Sequence, residues 1–121
     1  MITVLIADDH HLVRTSIAHL LNEECDIKIV GEVDDGESAV TQCRHLKPDI
    51  VLMDMLMPVL DGLSATRRWR AIEAAEGRPR TPVVALTANA FETDVQQSLQ
   101  AGCDAHLTKP LSLPALLQAL A

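Results

Sequence analysis

Ile50-Val51-Leu52-Met53-Asp54 runs four apolar residues without a break, closes on an acid, and is followed at once by turn chemistry in Pro58 and Asp61-Gly62. An uninterrupted apolar run of strand length predicts a strand covered on both faces, the position of a central strand in a parallel sheet. Reading outward, Ile2 to Ala7 is a second mostly apolar run, closed by Asp8-Asp9. Ile27-Lys28-Ile29-Val30-Gly31-Glu32-Val33 partly alternates, which predicts an edge strand with one exposed face. Val83 to Thr87 and Ala105 to Thr108 supply two more strands.

Helical stripes separate these runs. Val13, Ile17, Leu20 and Leu21 share one face; so do Ala39, Cys43 and Leu46, and then Ala65, Trp69 and Ile72. Phe91, Val95 and Leu99 form a fourth stripe stopped by Gly102, and Leu113, Leu116, Leu117 and Leu120 form a fifth that Ser112 can cap. Five strand–helix alternations predict an α/β domain, (βα)5, with a doubly wound parallel five-stranded sheet.

The 121 residues, 48% hydrophobic, suit one domain spanning 1–121. Ten Lys and Arg against 17 Asp and Glu leave a formal charge of -7, the wrong sign for holding nucleic acid or an anionic lipid surface. No apolar run approaches the roughly 20 residues of a spanning helix, so membrane insertion is not expected. The first residues enter a strand without a basic region and cleavage site, and the expected location is the cytoplasm. Cys25, Cys43 and Cys103 are odd in number and widely spaced, which argues for reduced thiols over a disulfide framework or a zinc cluster. With one Phe, one Trp and no Tyr, the core must be aliphatic.

Ligands of open parallel sheets bind at the carboxyl ends of the strands, where the strand order reverses. There this sequence puts Asp8-Asp9, Asp54, Thr87 and Thr108-Lys109-Pro110. Taken singly, Asp8 or Asp9 reads as a helix N-cap, Asp54 as a turn residue, Thr87 as a strand-end hydroxyl and Lys109 as a solvated charge. Taken together, three carboxylates on one edge repel unless something positive sits among them. A hard dication such as Mg²⁺ fits, since it takes oxygen ligands and is held by one or two carboxylates plus a phosphate. A cation, Lys109 and the Thr87 hydroxyl around one carboxylate are the parts that stabilise a transferring phosphoryl group, with Asp54 as the nucleophile.

At these residues the chain resembles a response-regulator receiver domain, and the likeness covers essentially all 121 positions. The matching segments are Ile6-Ala7-Asp8-Asp9-His10, Leu52-Met53-Asp54-Met55-Leu56-Met57-Pro58 with Asp61-Gly62, Ala85-Leu86-Thr87-Ala88, and Leu107-Thr108-Lys109-Pro110. The resemblance implies a flavodoxin-like fold of strand order 2-1-3-4-5 and a phosphoacceptor signalling module, not an enzyme acting on other molecules. It implies that Asp54 is phosphorylated from a phosphohistidine. Asp9, Asp54 and the Leu56 carbonyl would ligate Mg²⁺, with Asp8 acting mainly through water. It further implies that Lys109 pairs with the phosphoryl group, that the bond to Pro110 is cis, and that Thr87 swings inward and alters the surface of helix four, strand five and helix five.

His106 departs from the Tyr or Phe usual two residues before the Thr of the Thr-Lys-Pro motif; it is either an inward-moving switch ring or an exposed edge-strand imidazole. Leu56 is apolar where many members carry a polar group near the attacking water, which predicts slow phosphate loss. The implied partner is a histidine kinase or histidine phosphotransfer domain docking on His10, Leu12, Val13, Pro110 and Leu111, with Val13 equally readable as core. A phosphorylation-dependent homodimer is a further expectation.

Residues up to about Met55 resemble receivers that precede helix-turn-helix domains, and those from Met57 onward resemble receivers of hybrid histidine kinases. The chain is then either of naturally mixed type or recombined, and recombined halves would have to pack around strand three without voids. Two competing functions are weaker. An aspartyl phosphohydrolase usually needs an acid two residues past the nucleophile, where Leu56 stands. A binding-only receiver would not become phosphorylated.

Overall fold

The computed structural model describes residues 2–55, 57, 59–87, 92–109 and 111–120, the side chains of 92–95 excepted. Strands β1 (Ile2–Ala7), β2 (Ile27–Val33), β3 (Ile50–Asp54), β4 (Val83–Thr87) and β5 (Ala105–Thr108) alternate with helices α1 (His11–Asn22), α2 (Gly36–Leu46), α3 (Gly62–Glu76), α4 (Glu92–Ala101) and α5 (Leu113–Leu120). All strand pairs are parallel, in the order β2-β1-β3-β4-β5. The expected five-stranded α/β architecture is therefore present. Because β1 pairs with β2 on one side and β3 on the other, the chain reverses direction across the sheet there, and the carboxyl ends of β1 and β3 flank the crevice.

Strand alternation sorts the core into two layers. Leu5, Ala7, Val51, Met53, Val83 and Ala85 face Ala39, Val40, Cys43, Ala65 and Trp69 of α2 and α3. Val4, Ile6, Leu52, Val84 and Leu86 face Ile17, Leu21, Leu116 and Leu120 of α1 and α5. Every residue of β3 and β4 is buried, as their unbroken apolar runs predict, while β2 lies at the edge with Lys28 and Glu32 exposed. Each fully buried Leu or Val contributes about 1.5–3 kcal/mol, so an aliphatic core supplies the stability that aromatic rings supply elsewhere.

Two stripe members depart from expectation. Leu46 is 39% exposed because it lies over Gly31 of the edge strand, where no further layer covers it. Leu99 is 48% exposed because α4 turns Ser98 and Ala101 inward instead, so its inward face falls on small residues. Phe91 and the Val95 side chain lie outside what the structure describes.

Local chemistry sets the helix starts near the strand ends. Asp35 accepts the Ser38 amide and Asp61 the Ser64 amide, each at 2.7 Å, as side-chain N-caps. Gly62 opens α3 so close to β3 that an added Cβ would stand 2.1 Å from the Asp54 carbonyl oxygen. That approach fixes the backbone from which the Asp54 side chain projects. No helix among the described residues is long and apolar enough to cross a membrane.

Lys47 caps α2 in the left-handed region, with φ 50° and its amide bonded to the Cys43 carbonyl. A side chain there costs about 1 kcal/mol relative to glycine. Lys47→Gly is expected to raise the urea midpoint by that order without changing the slope; an unchanged or lower midpoint would count against the strain.

Candidate functional site

Four strands end at one level. Ala7 pairs with Met53, Asp54 with Leu86, and Thr87 with Thr108, so the residues at or just past those positions share an edge. Asp8 is fully buried, Asp54 nearly so, and Asp9 is exposed. Thr87 is buried, and its carbonyl accepts the Lys109 amide at 2.8 Å.

Lys109 Nζ lies 2.8 Å from Asp8 Oδ2 and 3.3 Å from Asp54 Oδ2. His10 Nδ1 lies 3.2 Å from Asp8 Oδ1, 3.1 Å from Asp9 Oδ1 and 3.9 Å from Asp54 Oδ2. The His10 amide also donates to Asp8 Oδ1 at 2.9 Å, closing a tight turn over the acid pair. Arg14 Nη1 donates to the Asp8 carbonyl at 2.6 Å, anchoring that turn from one helical turn into α1.

The electrostatics follow from these contacts. Burial pushes the Asp8 carboxyl up, but the Lys109 hydrogen bond, the His10 amide and the Lys109 charge together outweigh it and hold Asp8 below its ordinary value. Burial likewise pushes the Lys109 ammonium down, and Asp8 and Asp54 more than reverse that, so it stays charged to higher pH than a free lysine. The Thr87 hydroxyl is buried with no hydrogen-bond partner among the described residues. An unpaired buried hydroxyl costs about 1–3 kcal/mol, so it is poised for an incoming acceptor.

One ligand atom each from Asp8, Asp9, Asp54 and His10 falls within 4.8 Å of the others, a donor set that suits a small dication. The structure thus brings Asp8, Asp9, Asp54, Thr87 and Lys109 to one edge. Leu56 and Pro110, which the resemblance adds, lie outside the described residues. His106 is exposed on β5.

The expected docking residues divide. Leu12 is 79% exposed, and Val13 is half-buried against the α1–α5 core layer. Both line a groove of about 250 Å³ with Ser16, Ile17, Leu20, Lys109 and Leu111. His10 stands apart from that groove, over the acids. Sequence reading missed this contact and the Arg14 anchor; the one available signal was an imidazole directly after an acid pair, in place of a capping residue.

A model of the response regulator receiver domain family matches residues 4–121. Response regulator GacA of Pseudomonas syringae is 40% identical over 120 residues, which is 99% of this chain and 54% of GacA. The chain spans about half the length of the curated relatives it matches. The receiver domain of the Pseudomonas aeruginosa sensor histidine kinase PA1611, with a magnesium ion coordinated in its active-site cleft, superposes with a TM-score of 0.85 at 37% identity, covering 98% of this chain and 93% of that one. The receiver domain of Saccharomyces cerevisiae Ssk1, solved with the histidine phosphotransfer protein Ypd1, superposes with a TM-score of 0.92 at 28% identity over 98% of this chain and 86% of that one.

Lys109→Gln leaves two buried carboxylates facing each other and is expected to destabilise the metal-free protein by about 2 kcal/mol at pH 7, read by urea unfolding. Because Asp8 titrates below its ordinary range, stability from the pair is present above that range and lost as pH falls through the depressed value. In the variant, burial without Lys109 pushes the Asp8 carboxyl up, so the gap is expected to begin closing above the ordinary carboxylate range and to be gone below the depressed wild-type value. A gap unchanged at still lower pH would show that the ion pair is not its origin.

Proposed function

This chain belongs to the response-regulator receiver family, and from that premise we propose that Asp54 is its phosphoacceptor, charged from the phosphohistidine of a kinase or phosphotransfer partner. The observation that carries the reading is the Lys109 ammonium bridging Asp8 and Asp54, at the edge where the buried Thr87 hydroxyl is unpartnered among the described residues. An Asp54 carboxylate oxygen attacks phosphorus as the phosphorus–nitrogen bond of the donor breaks, and the imidazole nitrogen leaves with the electron pair. Asp8, Asp9 and Asp54 would hold Mg²⁺, which would supply positive charge against the phosphoryl oxygens.

The remaining work falls to side chains of the chain. Lys109 neutralises a phosphoryl oxygen from a position already within 3.3 Å of Asp54. Thr87 donates its hydroxyl to another and gains the partner it lacks among the described residues. Since the Thr87 carbonyl also holds the Lys109 amide, any shift of Thr87 passes to the end of β5. The surface of α4, β5 and α5, with His106 exposed on it, is the proposed output face and the face on which a phosphorylated homodimer forms. The groove beneath Leu12 and Val13, which reaches Lys109, is the proposed seat of the donor helix. A cytoplasmic location accords with a donor of that kind.

Exposure of the protein to acetyl phosphate with Mg²⁺ is expected to add one phosphoryl group, read by intact mass. The adduct should be lost in Asp54→Asn and in chelator. An adduct that survives the substitution, or forms equally without a dication, would overturn the assignment.

Leu12→Glu places a charge at the mouth of the groove without touching the acids. Transfer from a phosphohistidine donor is expected to slow by about tenfold or more, an effect of the size that central interface residues show. Acetyl phosphate labelling of the same variant should match wild type. Equal slowing of both would mean that Leu12 acts on the site itself and not on docking.

A further inference from the structure

We propose that His10 is a nitrogen ligand of the cation held at this rim, and that it tilts the site toward first-row transition dications, Mn²⁺ among them, over Mg²⁺. The inference rests on the reading of Asp8, Asp9 and Asp54 as the cation site and adds a residue and a selectivity to it.

Geometry carries the argument. A six-coordinate dication with metal–ligand lengths of about 2.1 Å sets adjacent donors about 3.0 Å apart and opposite donors about 4.2 Å apart. His10 Nδ1 stands 3.1 Å from Asp9 Oδ1 and 3.2 Å from Asp8 Oδ1, close to adjacent spacing. It stands 3.9 Å from Asp54 Oδ2, between the two values. The imidazole nitrogen thus stands at adjacent-donor spacing from two of the acids, and one ligand atom from each of the four residues lies within 4.8 Å of the others.

The two bases take different oxygens of Asp8. Lys109 takes Asp8 Oδ2 at 2.8 Å and His10 takes Asp8 Oδ1 at 3.2 Å, while both approach Asp54 Oδ2, at 3.3 and 3.9 Å. The imidazole is also held there by backbone. His10 is the residue before α1, its amide is bonded to Asp8 Oδ1, and its side chain makes no capping bond to the helix. Ser, Thr, Asp or Asn at that position would stabilise the helix by about 1 kcal/mol. Histidine forgoes that stabilisation and puts a nitrogen on the rim.

Chemistry then sets the preference. Mg²⁺ takes oxygen ligands and gains little from an imidazole. Affinity for a site with nitrogen rises from Mn²⁺ through Co²⁺ to Ni²⁺, and neutral imidazole is a common ligand of such ions. His10 is therefore a metal-specificity residue of the receiver site.

The test is a Mn²⁺ titration of the full chain by electron paramagnetic resonance, with pulsed detection of ¹⁴N coupling and with Mg²⁺ as competitor. Wild type is expected to show imidazole nitrogen coupled to bound Mn²⁺. In His10→Asn the coupling should vanish and Mn²⁺ affinity fall by about tenfold or more, on the scale of losing a metal-site group, with Mg²⁺ affinity changed far less. His10 is largely exposed, so the substitution spares the core, and circular dichroism checks the fold.

If His10 is only a counter-charge that departs when the ion arrives, its removal tightens both ions and no nitrogen coupling is seen. That result overturns the inference. Mn²⁺ binding that is lost in Asp9→Asn but indifferent to His10 also overturns it, while leaving the acidic rim as the cation site. No Mn²⁺ binding in wild type overturns the inference together with the reading it rests on.

Discussion

The Lys109 ammonium, 2.8 Å from Asp8 and 3.3 Å from Asp54, is what allows two nearly buried carboxylates to share one edge of the sheet. Two unit charges of like sign about 4 Å apart repel by about 4 kcal/mol at an effective dielectric near 20, a large share of a small domain's stability. Burial alone would answer that repulsion by neutralising an acid. Asp8 instead stays below its ordinary value because Lys109 and the His10 amide both bond it. The same contact is the one on which the proposed phosphoacceptor role of Asp54 rests. Stability and the proposed phosphoryl chemistry thus draw on the same pair of contacts.

The position of that pair is a property of the sheet. Parallel strands in register end together, so residues that are far apart in sequence arrive at one level once the apolar runs before them are aligned. Gly62 adds the last constraint, since only a residue without a Cβ lets α3 begin against the Asp54 carbonyl. Hydrophobic burial on both faces of β3 and β4 then holds the edge rigid, which a site built on loops alone would not achieve.

Most of this was legible before any coordinates. The runs Ile50–Met53 and Val83–Leu86 are too short and too unbroken for amphipathic helices, and each ends on a polar residue, so both the sheet and its functional edge follow from period and punctuation. Periodicity failed where its assumption failed. It takes every apolar residue on a stripe to face the core, whereas Leu46 overhangs an edge strand and α4 turns Ser98 inward. It is also silent on side chains that turns redirect. His10 follows two acids, and only the bond from its amide to Asp8 shows that its ring returns over them.

Thr87 shows how the site can speak to a distant surface without a dedicated pathway. Its hydroxyl is buried and unpartnered among the described residues, an unfavourable state that an acceptor at Asp54 would relieve. Its carbonyl holds the Lys109 amide, and it is the last residue of β4, whose partner β5 carries His106 on the outside. A side chain in search of a partner and a backbone bonded to the neighbouring strand therefore belong to one residue. The proposed switch requires that satisfying the first displace the second, and the two are joined through the backbone of that residue. The differential contact required of any switch is thus present in local form: one hydrogen bond missing in one state and made in the other.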